Sequence, residues 1–170
     1  MVLAEAGAAA GQLRALKRLY EAYERLDGDM MQACYAPAAR YDDEIYSLHG
    51  AREIGGMWRM HCRSARVRSR GQWRLEVGEI QAEGRRTRVH LEAFYRYGEA
   101  NREVHHVVDA EFEFNEDGRI VAHRDRYSFA RWARQALGWP AVLLGWLPLY
   151  QRWVRARAAS KLARYLSHHL

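Results

Sequence analysis

Apolar residues recur at three- and four-residue spacing through Leu13, Leu16, Leu19, Tyr20, Tyr23 and Leu26, which predicts an amphipathic first helix of about four turns. Asp27-Gly28-Asp29 stops that helix and can start the next. Met30 to Tyr35 reads as a short second helix, closed by Ala36-Pro37 because a proline ring disfavours helix at the residue before it. Arg40 to Ser47 has the pattern of a strand with Tyr41, Asp43 and Ile45 on one face, and His49-Gly50 makes a turn. Ile54, Met57, Trp58 and His61 form one stripe of a third helix. Gly55 and Gly56 each weaken it by about 1 kcal/mol relative to alanine.

From Arg66 the period changes to two. Strands are expected at 66–70, 73–82, 86–97, 104–114 and 119–128, with turns at Gly71, Glu83-Gly84, Gly98 to Asn101 and Asn115 to Gly118. Helices followed by hairpin-connected strands predict an α+β fold with an antiparallel sheet. On the last strand His123, Asp125 and Tyr127 alternate, so their side chains leave on one face.

The end of the chain changes character again. Trp132 to Gly138 predicts a short helix, Trp139-Pro140 a turn, and Ala141 to Tyr150 an apolar run well short of the roughly 20 residues that span a bilayer. Arg152 to Leu166 predicts a second amphipathic helix, with Val154, Ala158, Leu162 and Leu166 on its apolar side. No internal repeat or low-complexity linker divides the 170 residues, which fit one domain with a real core.

Charge follows the same division. The net charge is +6, but Phe129 to Leu170 contains seven bases and no acid, so the preceding body sums to −1. A near-neutral body with a basic tail argues against nucleic acid as the partner. Cys34 and Cys62 have no motif spacing and are expected as reduced, partly buried thiols. The N-terminal alanine run carries Glu5 and no basic region, so it reads as a lead-in to the first helix rather than a signal peptide, and the expected location is cytoplasmic. There is no HExxH, no paired CxxC, no glycine-rich phosphate loop and no serine nucleophile elbow, so neither a metal nor a cofactor is expected.

The element order resembles the nuclear transport factor two-like superfamily, in its SnoaL-like and ketosteroid-isomerase-like branch. The residues that carry the resemblance are Leu26 to Asp29, Tyr35-Ala36-Pro37, Asp42-Asp43, Leu48 to Ile54 and Gly118 to Asp125. It implies a curved sheet forming a cone closed by the N-terminal helices, over residues 1–130. Residues 131–170 are then a basic, tryptophan-rich helical extension packed on the same domain as a lid or dimer arm. It also implies a homodimer through the outer sheet face and a hydrophobic small molecule inside the cone.

Asp43 fills the place of the isomerase's general base, followed by Glu44 instead of proline. The isomerase's first-helix tyrosine aligns with Glu21, or with Tyr20 after a one-residue insertion. Its second aspartate aligns with Ala110; Asp109, one residue away, points to the other face, so the steroid-isomerase oxyanion pair is expected to be missing. His123 to Tyr127 is similar to the strand that carries catalytic aspartates in limonene epoxide hydrolase and SnoaL-like cyclases, which makes Asp125 the inward carboxylate. Arg88-Val89-His90 has the form of the hydrolase's arginine-x-aspartate pair with histidine in place of the acid.

The chemistry so implied is acid/base work without a cofactor. Asp125 would be the base, His123 and Tyr127 its orienters and Asp43 a second acid or base, with Asp42 open as the inward residue instead. The bland reading of Asp125 is an ion pair with Arg88, Arg124 or Arg126 at the surface. Tyr20, Trp58, Leu91, Tyr95, His106 and Phe112 would line an apolar ligand pocket. That points to an isomerase, cyclase or hydratase-type enzyme, with a noncatalytic lipid or small-molecule binder as the alternative. The basic tail also suits a membrane surface, a reading ranked below lid or dimer packing.

Overall fold

The computed structural model describes residues 2–138 and 148–169; Trp139-Pro140 and most of the apolar run after them lie outside the described residues. Helix α1 (Val2–Glu24) is followed by α2 (Gly28–Ala33), and Asp27 caps α2 by accepting the Met30 N–H at 3.0 Å. Strands β1 (Tyr35–Asp42) and β2 (Ser47–His49) precede α3 (Ala51–Arg68). A meander follows: β3 (Arg74–Glu83), β4 (Arg86–Tyr97), β5 (Arg102–Phe114) and β6 (Ile120–Arg126). The chain ends in α4 (Phe129–Leu137) and α5 (Pro148–His169).

The six strands form one sheet in the order β2-β1-β6-β5-β4-β3. Every pairing is antiparallel except β1 with β6, which is parallel, so the sheet is mixed rather than purely antiparallel. The helices come before and after the meander, and α+β is the class. Register shifts interrupt the β1–β6, β3–β4 and β5–β6 ladders, and such irregularities bend strands and increase twist.

Three local expectations are corrected. The strand expected at 66–70 is the end of α3, where Arg66 donates to the Leu26 carbonyl at 2.8 Å and Ser69 receives the chain beyond the last turn. Tyr35 does not finish a helix; it begins β1, and Pro37 sits in the stretch where the β1–β6 register slips, where a missing N–H costs no ladder bond. Leu13 is 42% exposed, so the apolar stripe of α1 is carried by Leu16, Leu19 and Tyr20 instead.

The core lies between one sheet face and the helices. Leu16, Leu19, Met31, Tyr35, Ile54, Met57, Phe112 and Ile120 are fully buried in it. Val154 and Leu162 of α5 are buried too, the latter in this main core, with Ala158 and Leu166 packed against it. A Cβ on Gly56 would lie 2.3 Å from Leu166 Cδ2, so a glycine in α3 is what lets α5 approach so closely. A second apolar cluster joins Val104 of β5 to Phe129, Trp132, Ala133 and Ala136 of α4 and Val154 of α5. Cys34 and Cys62 are free and buried. Among the described residues no helix is long and apolar enough to cross a membrane.

Candidate functional site on the inner sheet face

The ladder registers set the site. Tyr41 of β1 and Phe112 of β5 both lie opposite His123 of β6, and Ala110 lies opposite Asp125. Alternation along each strand then places Tyr41, His123, Asp125 and Phe112 on the helix-covered face, while Asp109 falls opposite Arg126 on the other face. Phe112 stacks on the His123 ring at 4.1 Å between centroids, and the Tyr41 ring meets it edge-on at 4.9 Å. The imidazole is thereby packed between aromatic rings.

Hydrogen bonds then assign its protons. The Trp58 indole N–H, which can only donate, gives its hydrogen to the Tyr35 oxygen at 3.1 Å. Tyr35 in turn faces His123 Nδ1 at 2.8 Å, and its own hydrogen goes there. The histidine proton therefore sits on Nε2, which donates to Asp125 Oδ1 at 2.8 Å. Asp125 accepts a second bond on Oδ2 from the Tyr41 hydroxyl at 2.9 Å. Burial pushes its carboxyl up, but the electrostatic pull of the His123 ring and its hydrogen bond, with help from Tyr41, outweigh that and hold it below the usual range. Among the described residues the ion pair of Asp125 is with His123; Arg124 and Arg126 are exposed, and Arg88 reaches Glu83 instead.

Asp43 is the inward residue of its pair. Its Oδ1 accepts the N–H groups of Ile45 at 2.6 Å and Tyr46 at 2.5 Å, which folds the corner between β1 and β2, whereas Asp42 turns to the Ser47 hydroxyl. Its Oδ2 lies 3.0 Å from the Tyr41 hydroxyl. One phenol hydrogen thus stands between two carboxylates. If Tyr41 donates to Asp125, the contact with Asp43 is a hydrogen bond only when the Asp43 carboxyl carries a proton. Burial raises Asp43 to about 6 against the pull of its backbone donors, so it is the member of the pair that takes up a proton first as the pH falls. Two carboxylates whose environments push their affinities apart make an acid and a base.

The remaining expected residues are distributed around this centre. Tyr20 of α1 meets Phe112 edge-on at 6.3 Å, and its buried hydroxyl has no hydrogen-bond partner among the described residues. Burial and the nearby Asp125 raise its pKa. Trp58 acts through Tyr35, and Leu91 is buried in the core. Tyr95 faces His106 Nδ1 at 3.4 Å, and the His106 ring meets Tyr127 edge-on at 4.4 Å. Tyr127 makes no hydrogen bond to Asp125; Tyr41 takes the orienting position that the sequence reading gave to it. Arg88 and His90 project from the outer face, so the arginine-x-histidine pair does not enter the site at all.

Tyr41 and Tyr35 are the residues that sequence reasoning missed. Tyr41 shared a predicted strand face with Asp43, which was the available signal. Its contact with Asp125 depends on the parallel β1–β6 pairing, which no local pattern announces. Two clefts lie beside the site. One of about 510 Å³ lies on the outer face around Arg88, His90, Asp109 and Arg126. Another of about 170 Å³ lies where α4 crosses β5 and has His106, Tyr127, Arg131 and Trp132 in its wall. Among the described residues no group of three or more His, Cys, Asp or Glu side chains is placed to hold a metal ion.

Comparison with known proteins agrees with this architecture. A LEH-like epoxide hydrolase from M. tuberculosis is 19% identical with a TM-score of 0.59, over 82% of this chain and 97% of that one. The epoxide hydrolase/cyclase-like enzyme SalBIII, of pyran ring formation in the polyether salinomycin, is 12% identical with a TM-score of 0.60, over 71% and 92%. A hypothetical protein with a ketosteroid isomerase-like fold from Catenulispora acidiphila, in complex with trimethylamine, is 14% identical with a TM-score of 0.60, over 79% and 97%. At such identities the likeness is one of fold. No functionally curated protein matches the sequence. The SnoaL-like domain family matches residues 16–123, well over half of the chain, with α1 and β6 at its two ends. The chain belongs to the SnoaL-like domain family.

Proposed function

We propose that this protein is a cofactor-independent proton-transfer enzyme, of the isomerase, cyclase or hydratase type, acting on an apolar small molecule. The observation that carries the reading is the Asp43–Tyr41–Asp125 arrangement, in which one phenol bridges a carboxyl raised to about 6 and a carboxylate held below its usual range. Asp125 serves as the base, oriented by His123 and Tyr41. Asp43 is the group that delivers or stores the proton, and Tyr41 is the path between them. Family membership and cyclase- and hydrolase-like neighbours of the same fold support the class. The aromatic wall of Tyr20, Trp58, Tyr95 and Phe112 suits an apolar substrate.

Deuterium incorporation tests this without a known substrate. A panel of apolar compounds with acidic C–H bonds is incubated with the full-length protein in deuterated water and followed by NMR. Exchange with at least one compound is expected, with a loss on the order of a hundredfold or more in Asp125→Asn. Ligand binding that persists in Asp125→Asn, with no exchange by either protein, would establish a noncatalytic binder instead.

A further inference from the structure

Two relays of the same composition reach the inner face, and they end differently. In the first, Trp58 donates to Tyr35, Tyr35 to His123, and His123 Nε2–H is taken up by Asp125. In the second, Trp132 of α4 donates its indole N–H to the Tyr95 oxygen at 3.0 Å, and Tyr95 faces His106 Nδ1 at 3.4 Å. The indole can only donate, so the Tyr95 hydrogen is available for Nδ1, an arrangement that leaves the His106 proton on Nε2. That nitrogen is buried and has no hydrogen-bond partner among the described residues. The Tyr20 hydroxyl is buried and unpartnered as well, and both lie near enough to Asp125 to feel its charge.

Buried polar groups without partners are rare in folded proteins and each asks for an explanation. We propose that His106 Nε2–H is a fixed binding donor for an uncharged acceptor oxygen of the ligand, a carbonyl above all. The Trp132–Tyr95 relay from the C-terminal extension sets its tautomer. This deepens the proposed function and rests on it. Neutral donors suit a carbonyl; a carboxylate or phosphate is met in proteins by arginine and lysine. Burial lowers His106 to about 4, so the ring stays neutral at ordinary pH and keeps one donor rather than two. The cleft of about 170 Å³ beside α4 reaches the same histidine.

The extension is anchored for this task. Gln135 of α4 both accepts from the His105 backbone N–H at 2.8 Å and donates to the His105 carbonyl at 3.1 Å, holding α4 to β5 beyond the end of β6. Ser128 caps α4 and Gly138, at φ 85°, closes it, so the helix is just long enough to present Trp132 to Tyr95. Trp132 and Tyr95 are positioning residues, and His106 is the group that touches ligand.

The test pairs two probes of one shape, α-tetralone and tetralin, which differ by a carbonyl oxygen, on full-length protein with isotope-labelled histidine. Wild type is expected to bind the ketone about tenfold more tightly, with the His106 Nε2–H resonance moving only for the ketone. His106→Phe should erase the preference, the ketone losing its tenfold advantage over tetralin. Trp132→Phe, which keeps the ring and loses the donor, should let the His106 proton appear on both nitrogens and reduce the preference. Equal binding of the two probes by wild type, or a proton resident on Nδ1, overturns the proposal while the apolar site stands. Binding of neither probe overturns the interior ligand site and this proposal with it.

Discussion

A histidine–aspartate pair occurs on each face of the sheet. His123 and Asp125 on the inner face are 2.8 Å apart, and His90 and Asp109 on the outer face are 2.7 Å apart. By distance they are equivalent. By exposure they are not: the inner side chains are 3% and 11% exposed, the outer ones 51% and 76%. An exposed pair exchanges water for a partner at little net gain. A buried pair has already lost its water, so each member depends on the other and on the groups behind it, here Tyr35 and Tyr41. Burial and secondary partners, rather than the pairing, separate a candidate site from surface decoration.

The largest expected effect breaks the comparison if it fails. Asp125→Ala leaves His123 Nε2–H and the Tyr41 hydroxyl without their acceptor and should cost about 3–5 kcal/mol in urea unfolding. Comparable losses from Asp125→Ala and Asp109→Ala would show that burial makes no difference.

Next comes the pH dependence of Asp43. Its folded pKa of about 6 lies above its ordinary 3.8, so the folded chain holds the proton more tightly. The resulting stabilisation is complete below about pH 4 and disappears as pH rises through 6. His106 runs the other way: lowered to about 4, it contributes stability that is present above its ordinary 6.5 and lost as pH falls. The difference in stability between wild type and Asp43→Asn isolates the aspartate and should shift by roughly 2 kcal/mol across that window.

A smaller effect sharpens the comparison from the helix side, since α5 covers helices over the inner face. Gly56→Ala drives a Cβ into Leu166 and should destabilise by about 1–3 kcal/mol in thermal unfolding, with faster proteolysis of α5 than of the β3–β4 hairpin. Smallest of all, Asp109→Ala should cost about 0.5 kcal/mol or less, and what there is should vanish in high salt.

Much of this was legible before the fold was seen. Period-two alternation on β6 placed His123 and Asp125 on one face, and the phase of β5 sent Asp109 to the other, because side-chain direction on a strand is fixed by count alone. The pattern of α5, with Val154, Ala158, Leu162 and Leu166 inward, was equally local. What failed was non-local or at a boundary. Arg66 to Arg68 alternate enough to imitate a strand, yet α3 carries them because the Leu26 carbonyl is waiting for Arg66. The parallel pairing of β1 with β6 joins residues more than eighty apart in sequence, and only that pairing brings Tyr41 to Asp125. Trp132 read as tail packing, and its bond to Tyr95 came from a helix docked by Gln135. Local patterns place residues on faces; hydrogen-bond relays need the tertiary register.

The central claim is that Tyr41 bridges two carboxyls of unequal proton affinity. Carboxyl-carbon NMR of the full-length protein, titrated from acid to neutral pH, reads both groups directly. Asp43 should titrate near pH 6 and Asp125 below the usual carboxylate range, with Tyr41→Phe raising Asp125. A single shared titration in the ordinary range near pH 4 for both carboxyls would contradict the account.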